Sequence, residues 1–475
     1  MPTSFRIFII SVVSLYFLPS FDGTRLVVSL PVMAEQFSTG TGLVSWILVA
    51  YLLAFISSML ILGRFSDIID IRKIFTLGVF LFTLFSILCG VAQTVLSLIV
   101  FRFFQGLGGA MLVVASYSAV ARYLSGDLVV RGYAALNIGS AIAMAIGAPV
   151  GGLITEYLGW RWNFYINLIM ALCFYFIAIR SIPVDEKRTA AKPSIDIASA
   201  VSGFLMPFFF MLFISFFKEL GYRSILLWAF LGAGVLSAGL FIIRNNRIAN
   251  PLLDVNLFKI KGFGLMVILM TIPIILQGGH YFLMPFYFDD IKNMRIVYYG
   301  ALLMIYSLVF VITDLLSPFI FSRFHFRTIG TAGFICMMTG SAVMIFGLHT
   351  DGLVVPIAYL VMMGMGFGIY NAPSTSIFMN MVSSDRKGLF AGIFQIILRS
   401  SLAIGIILFE TIYSAGIGNF SETLTRDSAI SSDYLNALHF SYKMTFTASF
   451  FLIVIALIVL YFPMFKILKL RRKGK

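Results

Sequence analysis

Long apolar runs recur along the whole of this sequence and constrain its fold more than any other feature. Fourteen segments, each of about 20 mostly apolar residues, are long enough to cross the hydrocarbon core of a bilayer as α-helices. Of the 475 residues, 60% are hydrophobic and only 11% are charged, too few charges to cover a water-facing surface. We therefore predict an all-α membrane protein with 14 transmembrane helices, over residues 7–33, 43–63, 74–93, 95–121, 132–157, 162–182, 197–217, 224–243, 264–288, 298–321, 328–348, 353–379, 388–413 and 443–466.

Basic residues are unevenly distributed among the connecting segments. If both termini lie in the cytoplasm, most of the 34 Lys and Arg residues fall on the cytoplasmic side, which is the usual bias of membrane proteins. The net charge of +14 therefore reflects topology and does not indicate binding to nucleic acid. We predict an integral protein of the plasma or inner membrane, with a basic cytoplasmic tail at 466–475 beside anionic lipid.

Two polar connectors divide the apolar runs into three blocks. They predict a six-helix bundle over 1–183, a linker with an inserted helix pair over 184–256, and a second six-helix bundle with the basic tail over 257–475. The fourth helix of each bundle carries a glycine-rich run, QGLGGA in the first and GMGFGIYNAP in the second. This weak internal symmetry indicates two related repeats with a central site between them, an architecture found in transporters.

Three runs of the first block combine charged or polar residues with small ones. Arg102 shares a helix face with Gln105, and because a buried arginine costs about 2.5–3.5 kcal/mol on insertion scales, we expect it to face the bundle interior. A short cytoplasmic loop after the second helix could latch one arrangement of the bundles, through Gly63, Asp67, Arg72 and Lys73. A glycine- and proline-rich face of the fifth helix predicts close packing against a neighbour, through Gly139, Gly147, Pro149, Gly151 and Gly152.

These three runs, in this order, resemble the conserved motifs of the major facilitator superfamily. The number of helices, VSWILVAYLLA, WRWNFYIN and the FDGTRLVVSLP of the first helix resemble its fourteen-helix drug:proton antiporter branch, most specifically over residues 22–167. The resemblance implies the major-facilitator fold, in which two six-helix bundles rock around a central cavity while proton entry drives efflux. It also implies a gating role for Asp67, a proton-coupling role for Arg102 and a sealing role for the glycine-rich face of the fifth helix.

The sequence departs from this family pattern at several positions. Ile68 and Asp70 replace a usual Arg and a usual Gly of the loop, so we expect a weaker latch. In the fifth helix, GAPVGG shifts the proline by one residue. In the first helix, Arg25 lies one turn after Asp22 and competes with a proton or a cationic substrate for that acid.

Two interpretations of the pair formed by Asp22 and Arg25 are open. In the first, substrate or proton opens the pair during the transport cycle. In the second, the pair is structural, and Asp314 or Arg102 with its partner carries the coupling. The membrane-embedded candidates for proton coupling are Asp22, Arg102, Asp314 and Glu410.

Polar residues in other helices are candidates for the wall of a substrate cavity, namely Arg25, Gln277, His280, Asn371, Gln395 and Arg399. His280 could also relay protons, although a satisfied interior histidine is the commoner case. If Arg25, His280 and Arg399 face the cavity, they would favour anionic or zwitterionic substrates over lipophilic cations.

The leading hypothesis is a proton-coupled secondary active exporter, an antiporter, of amphipathic small molecules such as drugs. One alternative is an exporter of a specific metabolite, siderophore or lipid, including an anionic one; another is a non-transporting membrane sensor or scaffold. The sequence contains no GxxxxGK[ST], HExxH, GxSxG or CxxC motif, so we expect no enzyme, no ATP drive, no cofactor and no metal site. We expect a monomer whose partners are the small-molecule substrate, protons and membrane lipid, and not nucleic acid.

Overall fold

The computed structural model describes residues 3–183, 196–248, 259–381, 387–418 and 432–461. Within these ranges the chain forms 15 α-helices and no strand, which confirms the predicted all-α class. A π-helical turn, Tyr287–Ile291, continues the tenth helix. The helices are α1 (Thr3–Val27), α2 (Leu30–Gln36), α3 (Thr41–Ile68), α4 (Ile71–Gly90), α5 (Val95–Tyr123), α6 (Asp127–Leu158), α7 (Trp162–Ser181), α8 (Ile197–Leu220), α9 (Ile225–Asn245), α10 (Phe263–Phe286), α11 (Ile296–Arg323), α12 (Phe326–Gly347), α13 (Val354–Met379), α14 (Lys387–Gly418) and α15 (Ser432–Tyr461).

Fourteen of the described helices are long and apolar enough to cross a membrane, which confirms the predicted number of spans. The remaining helix, α2, is short because the first apolar run is interrupted after Val27. Pro31 lies in the first turn of α2, where the N–H group that proline lacks is not needed. The first span therefore ends at Val27 and not at 33 as predicted.

The last helix begins earlier than the apolar run that predicted it. It starts at Ser432, whereas the predicted span started at 443. Polar residues interrupt the apolar run before that point, but Leu438 and Tyr442 lie on one side of the helix and are buried. Burial of that side explains why the helix extends through a segment that is not continuously apolar.

The predicted loop after the second span is mostly helical. Gly63 and Asp67 lie within the last turns of α3, and a Cβ on Gly63 would have no atom within 4 Å. Arg72 and Lys73 lie in the first turn of α4. Between the helices, Asp70 caps α4 by accepting a hydrogen bond from the N–H of Arg72 at 3.0 Å, which gives a structural role to this departure from the family pattern. The side chain of Asp67 lies outside the described residues.

The first six spans (the first block) and the last six (the second block) pack in the same pattern. In the first block, α5 packs against α3 and α4, and α1 packs against α6. In the second block, α13 packs against α11 and α12, and α10 packs against α14. The order of packing therefore repeats along the chain, as expected for two related six-helix units.

Glycines at equivalent points permit the closest of these contacts. A Cβ on Gly106 of α5 would lie 2.3 Å from the backbone oxygen of Tyr51 on α3. In the second block, a Cβ on Gly364 of α13 would lie 2.6 Å from the backbone oxygen of Tyr306 on α11. Each pair joins the fourth span of its block to the second, and small residues are what allow helices to approach so closely. These matching contacts support the predicted internal repeat.

Two seams join the blocks, one between α6 and α11 and one between α3 and α14. The inserted helices α8 and α9 pack on each other, and α8 also contacts α3 and α14. Trp46 of α3 and Phe216 of α8 have ring centroids 5.0 Å apart. The inserted pair thus borders the α3–α14 seam. The predicted domain boundaries at 184 and 256, and the tail at 466–475, lie outside the described residues, so the domain division stays a prediction.

Candidate functional site

Asp22 on α1 is enclosed by polar groups from three helices. Its Oδ2 accepts a hydrogen bond from Arg102 Nη1 of α5 at 2.7 Å, and its Oδ1 accepts one from Asn167 Nδ2 of α7 at 2.6 Å. Arg25 Nη2 lies 3.6 Å from the same Oδ1. Since only 1% of Asp22 is exposed, its carboxylate is held inside the protein by two guanidinium groups and an amide.

Arg25 is completely buried in this cluster. Its Nη2 donates to Asn167 Oδ1 at 2.6 Å and to the backbone oxygen of Asn163, and its guanidinium carbon lies 4.6 Å from the ring centre of Phe21. Its Nε and Nη1 have no hydrogen-bond partner among the described residues. With Arg102 and Asp22, Arg25 therefore forms a buried group of two cations and one anion. Because its side chain has no exposed surface, it does not line an open cavity in this arrangement.

Arg102 faces the interior of the first block, as the cost of its burial predicts. Besides Asp22, its Nη1 donates to Gln105 Oε1 at 2.6 Å and its Nε donates to the backbone oxygen of Ile47 at 3.1 Å. The guanidinium carbon also lies 4.4 Å from the ring centre of Tyr51. Several hydrogen bonds and the rings of Tyr51 and Phe164 thus replace the water that burial removes from this arginine.

The glycine face of α6 packs mostly within its own block. Three of its members would meet side chains or backbone of α1 if they carried a Cβ, namely Gly139, Gly147 and Gly151. At Gly151 that atom would lie 2.3 Å from the backbone oxygen of Arg25. Gly152 instead faces the second block, where its Cβ would lie 2.9 Å from the backbone oxygen of Ile296. Pro149 lies inside α6, which continues past it.

Glu410 on α14 lies at the α3–α14 seam. It is 7% exposed, and its Oε1 accepts a hydrogen bond from the hydroxyl of Thr41 at 3.3 Å. Thr41 is the first residue of α3, and the free N–H groups of a helix start favour a negative charge. Lys218, near the end of α8, donates to the hydroxyl of Ser414, one turn beyond Glu410. Glu410 therefore contacts the first block and lies beside a cation of the inserted pair.

Gln395 and Arg399 lie one turn apart nearer the beginning of α14, and both contact the first block. Gln395 Nε2 donates to the hydroxyl of Tyr117 at 3.0 Å and lies 3.5 Å from that of Tyr16. The guanidinium carbon of Arg399 lies 5.1 Å from the ring centre of Phe55 on α3. Two predicted cavity residues are thus placed between the blocks.

The α6–α11 seam carries an ion pair. Arg295, just before α11, donates to Glu156 Oε1 from Nε at 2.8 Å and also from Nη2. These hydrogen bonds, with the charge of Glu156, raise the pKa of the Arg295 guanidinium above its ordinary value. The hydroxyl of Tyr299 donates to the backbone oxygen of Val28 at 3.1 Å. Polar contacts therefore join the blocks at both seams.

His280 on α10 is paired with Tyr359 on α13. Its Nδ1 and the Tyr359 hydroxyl share a hydrogen bond, whereas its Nε2 has no partner among the described residues. Both residues, together with Gln277, line a cavity enclosed by α10, α11 and α13. The structure thus brings together Gln277 and His280, both predicted to line a cavity, inside the second block.

Asp314 on α11 and Asn371 on α13 form a separate polar pair. Asn371 Nδ2 donates to Asp314 Oδ1 at 3.0 Å, and both residues are half-buried. Both helices belong to the second block, so this pair does not cross a seam.

Of the expected latch residues, Arg72 makes a side-chain hydrogen bond near the α3–α4 connection, and Arg122 adds another contact there. Arg72 Nε donates to the backbone oxygen of Ile182 at 2.5 Å, just beyond α7, and Arg122 donates to the backbone oxygen of Ser66. Lys73 is exposed. These hydrogen bonds tie helix ends of the first block to one another.

Sequence reasoning missed several residues of these sites. Asn163 and Asn167 complete the Asp22 cluster, and WRWNFYIN carried the signal, because it places two amides one turn apart in an apolar span. Tyr359 and Lys218 carry no comparable signal, since a tyrosine inside a span and a lysine at its end are both common.

Residues 12–406 match the family described as the Major Facilitator Superfamily. The chain is 26% identical over 407 residues to the riboflavin transporter RibZ of Clostridioides difficile, covering 84% of this chain and 86% of the relative. It is 26% identical over 411 residues to the quinolone resistance protein NorB of Staphylococcus aureus, covering 82% and 84% of the two chains. It is 24% identical over 395 residues to the multidrug resistance protein Stp of Mycobacterium tuberculosis, covering 83% and 73%.

Solved structures show the same fold at low sequence identity. A bacterial homologue of the human lysosomal transporter Spinster, in an inward-facing and unoccupied conformation, superimposes with a TM-score of 0.70 at 14% identity, covering 99% of this chain and 98% of that one. A mutant form of the nucleoside transporter NupG gives a TM-score of 0.63 at 12% identity, covering 96% and 100%. These similarities establish the fold, and they do not identify a substrate.

Proposed function

We propose that this chain, which belongs to the Major Facilitator Superfamily, exports amphipathic small molecules and is driven by protons that move in the opposite direction. The observation that supports export is that several relatives, among them NorB and Stp, carry the names of resistance proteins.

The family and the structural neighbours are transporters, so the chain is a transporter and not an enzyme. It is an integral membrane protein with 14 candidate spans in the part of the chain that the structure describes, and its bacterial relatives are consistent with the inner membrane. The distribution of basic residues supports cytoplasmic positions for both termini.

Glu410 is the acid best placed to carry the coupling proton. Coupling requires that proton binding change the free energy of one arrangement of the blocks relative to another. The partners of Asp22 and Asp314 that the structure describes lie within their own blocks. Glu410 instead accepts a hydrogen bond from Thr41 of the other block, so its charge acts directly on a seam.

The charge of Glu410 is expected to hold the α3–α14 seam together. Burial and Glu219 of the inserted helix oppose a carboxylate at this place, whereas the start of α3 and the ammonium group of Lys218 favour it. Protonation of Glu410 would remove the attraction to the start of α3 and to Lys218 and loosen the seam. When Glu410 is charged and no substrate is bound, the seam would stay closed and the blocks would not move. Protons would then not leak down their gradient.

The Asp22 cluster is better suited to a structural role. Protonation of Asp22 would leave Arg25 and Arg102 buried without a counter-charge, and breaking such a buried pair costs about 3–5 kcal/mol. We therefore favour the interpretation in which this cluster anchors α1, α5 and α7 while another acid carries the proton.

The test is transport by purified protein in proteoliposomes with an imposed pH gradient, using ethidium as an amphipathic probe. Wild-type protein should move ethidium against its own gradient. Glu410→Gln should reduce this driven transport about 5–150-fold, the range of a coupling free energy of ~1–3 kcal/mol, while ethidium exchange without a pH gradient persists.

Asp314→Asn is the matched control, because it neutralises an acid of the same block that does not cross a seam. It should retain driven transport; loss of coupling in this variant but not in Glu410→Gln would refute the assignment of Glu410. If no probe moves under the gradient in wild-type protein, the sensor or scaffold alternative gains support. If a single chemical class moves, export of a specific metabolite gains support.

A further inference from the structure

The end of the inserted helix α8 contacts both blocks at the α3–α14 seam. Phe216 packs on Trp46 of α3 with ring centroids 5.0 Å apart, and two residues later Lys218 donates a hydrogen bond to the hydroxyl of Ser414 on α14. The rings of Phe216 and Phe230 of α9 have centroids 6.0 Å apart, so this end of α8 is also held by its neighbour in the inserted pair. The inserted pair therefore touches both sides of a junction that opens and closes in the proposed transport cycle.

The charged groups that act on the Glu410 carboxylate belong to this end of α8. The hydroxyl of Ser414 donates to the backbone oxygen of Glu410 at 2.8 Å, so Lys218 contacts the same turn of α14 that carries the acid. In the part of the chain that the structure describes, the charges acting on this carboxylate are Lys218, which favours its negative form, and Glu219, which opposes it. Thr41 of α3 adds a hydrogen bond and no charge. The inserted pair therefore supplies charges that the two blocks do not supply at this place.

Burial makes Glu410 sensitive to these neighbours. The residue is 7% exposed, and desolvation disfavours a charged carboxylate, whereas a nearby cation favours it. Lys218 and Glu219 are themselves exposed, so water screens their charges. The effect of either one should then be that of a surface pair, equivalent to about 0.2–0.7 of a pH unit. Such an effect adjusts the pH at which Glu410 binds its proton, and it does not by itself create coupling.

Resting on the proposed coupling role of Glu410, we propose that Lys218 is a positioning residue that sets the pH at which the carrier couples. Lys218 holds Glu410 in its charged form, with the seam closed, until the solution that reaches the acid is acidic enough. Glu219 acts in the opposite sense. The inserted pair thus takes part in the control of transport, in addition to packing beside the seam.

The first test is the pH dependence of driven ethidium transport in proteoliposomes. Lys218→Gln should move the pH of half-maximal transport upwards by about 0.2–0.7, because Glu410 then accepts its proton from a less acidic solution. Lys218→Glu should move it about twice as far in the same direction, since it replaces the cation by an anion. Glu219→Gln should move it downwards, which keeps the test decisive if the lysine variants fold poorly.

Two control variants separate charge from other effects. Lys218→Arg keeps the cation and should have the wild-type pH dependence. Arg223→Gln removes a cation from the connection between α8 and α9, where the guanidinium carbon lies 5.5 Å from the ring centre of Tyr222, and this cation does not act on Glu410. It should also leave the pH of half-maximal transport unchanged. Folding of each variant is checked by size-exclusion chromatography.

Thermal unfolding at different pH values tests the same contact without transport. Stabilisation by Lys218 should be present where Glu410 is charged and lost as the pH falls and the acid is protonated. Lys218→Gln should therefore lower the melting temperature at about pH 8 and have little effect at about pH 4. In a Glu410→Gln background the effect at about pH 8 should disappear. A hydrogen bond to Ser414 alone would give the same loss at both pH values and in both backgrounds.

Unchanged pH dependence of transport in folded Lys218→Gln and Glu219→Gln would overturn the proposal, as would shifts of the same direction in these two variants. Either result leaves the export function intact if Glu410→Gln still loses driven transport. If wild-type protein moves no ethidium under the gradient, the export function fails, and control of coupling fails with it. A loss of stability that depends on both pH and Glu410 would then still assign Lys218 to the control of the charge of Glu410.

Discussion

In each block the first span contacts the fourth through a buried polar pair, but the two pairs differ in charge. In the first block, Asp22 of α1 and Arg102 of α5 form an ion pair with a hydrogen bond of 2.7 Å. In the second block, His280 of α10 and Tyr359 of α13 share a hydrogen bond. The same helices of the repeat thus hold a charged pair in one copy and a polar pair without a carboxylate in the other.

The backbone contacts between the fourth and the second span are nevertheless alike in the two blocks. Gly106 meets the backbone of Tyr51 in the first block as Gly364 meets that of Tyr306 in the second. Close helix packing is therefore common to both blocks, while the side chains around it have separate uses. In the first block one carboxylate offsets part of the charge of two guanidinium groups, and in the second block the pair carries no carboxylate. The comparison teaches that one packing arrangement accommodates a charged cluster and an uncharged polar pair equally well.

The largest effect is expected at the charged pair. Asp22→Asn leaves Arg25 and Arg102 buried without their carboxylate and should destabilise the protein by about 3–5 kcal/mol, because uncompensated buried charges are costly. Thermal unfolding in detergent and the yield of monodisperse protein measure the loss. The control is the double variant Asp22→Asn with Arg25→Leu, which should recover part of the stability. Wild-type stability in the single variant would contradict the idea that the Asp22 carboxylate is needed to offset the two buried arginines.

An effect on stability of intermediate size, equal in the two blocks, is expected at the glycine contact that the blocks share. Gly106→Ala and Gly364→Ala each place a Cβ within 2.6 Å of a backbone oxygen, and overpacking of this kind costs about 1–3 kcal/mol. Gly232→Ala on α9 is the matched control, because its Cβ would meet no atom within 4 Å, and it should be neutral or slightly stabilising. Thermal unfolding compares the three variants. A large effect in one block only would show that the blocks do not share this contact in solution.

The smallest effect on stability is expected at the uncharged pair. Tyr359→Phe removes one hydrogen bond to His280 and should cost about 1 kcal/mol, the usual net value of a hydrogen bond between neutral groups. The same thermal measurement applies, with Asp22→Asn as the reference from the other block. If Tyr359→Phe proves as damaging as Asp22→Asn, the contrast between a charged pair in the first block and a neutral pair in the second is wrong.

Much of the fold follows directly from the sequence. The 14 spans were predictable because an apolar run of sufficient length has few alternatives, and the interior position of Arg102 followed from the cost of exposing it to lipid. The helix ends at the α3–α4 connection were not predictable from the family pattern. That pattern has a glycine where this sequence has Asp70, and Asp70 caps α4.

The sites were predictable only where the signal was local. A single acid or arginine in an apolar run attracts notice, but the partner that completes the site lies in a distant span. Asn167 joins Asp22 from another helix, and Tyr359 joins His280 across the second block. Glu410 was identified as a candidate, yet its position opposite Thr41 depends on how the two blocks meet. Contacts of this kind are set by tertiary packing and cannot be inferred from the sequence of any single segment.

The position of α8 has a consequence for molecules that are dissolved in the bilayer. The α3–α14 seam is bordered by the inserted helix, whose Lys218 reaches α14 and whose Phe216 packs on Trp46 of α3. Among the described helices, neither α8 nor α9 makes a comparable contact with the α6–α11 seam. An amphipathic molecule that diffuses laterally in the membrane therefore meets the inserted helix pair on the side of the α3–α14 seam. The inserted pair covers no comparable part of the α6–α11 seam, so the two junctions between the blocks present different surfaces towards lipid.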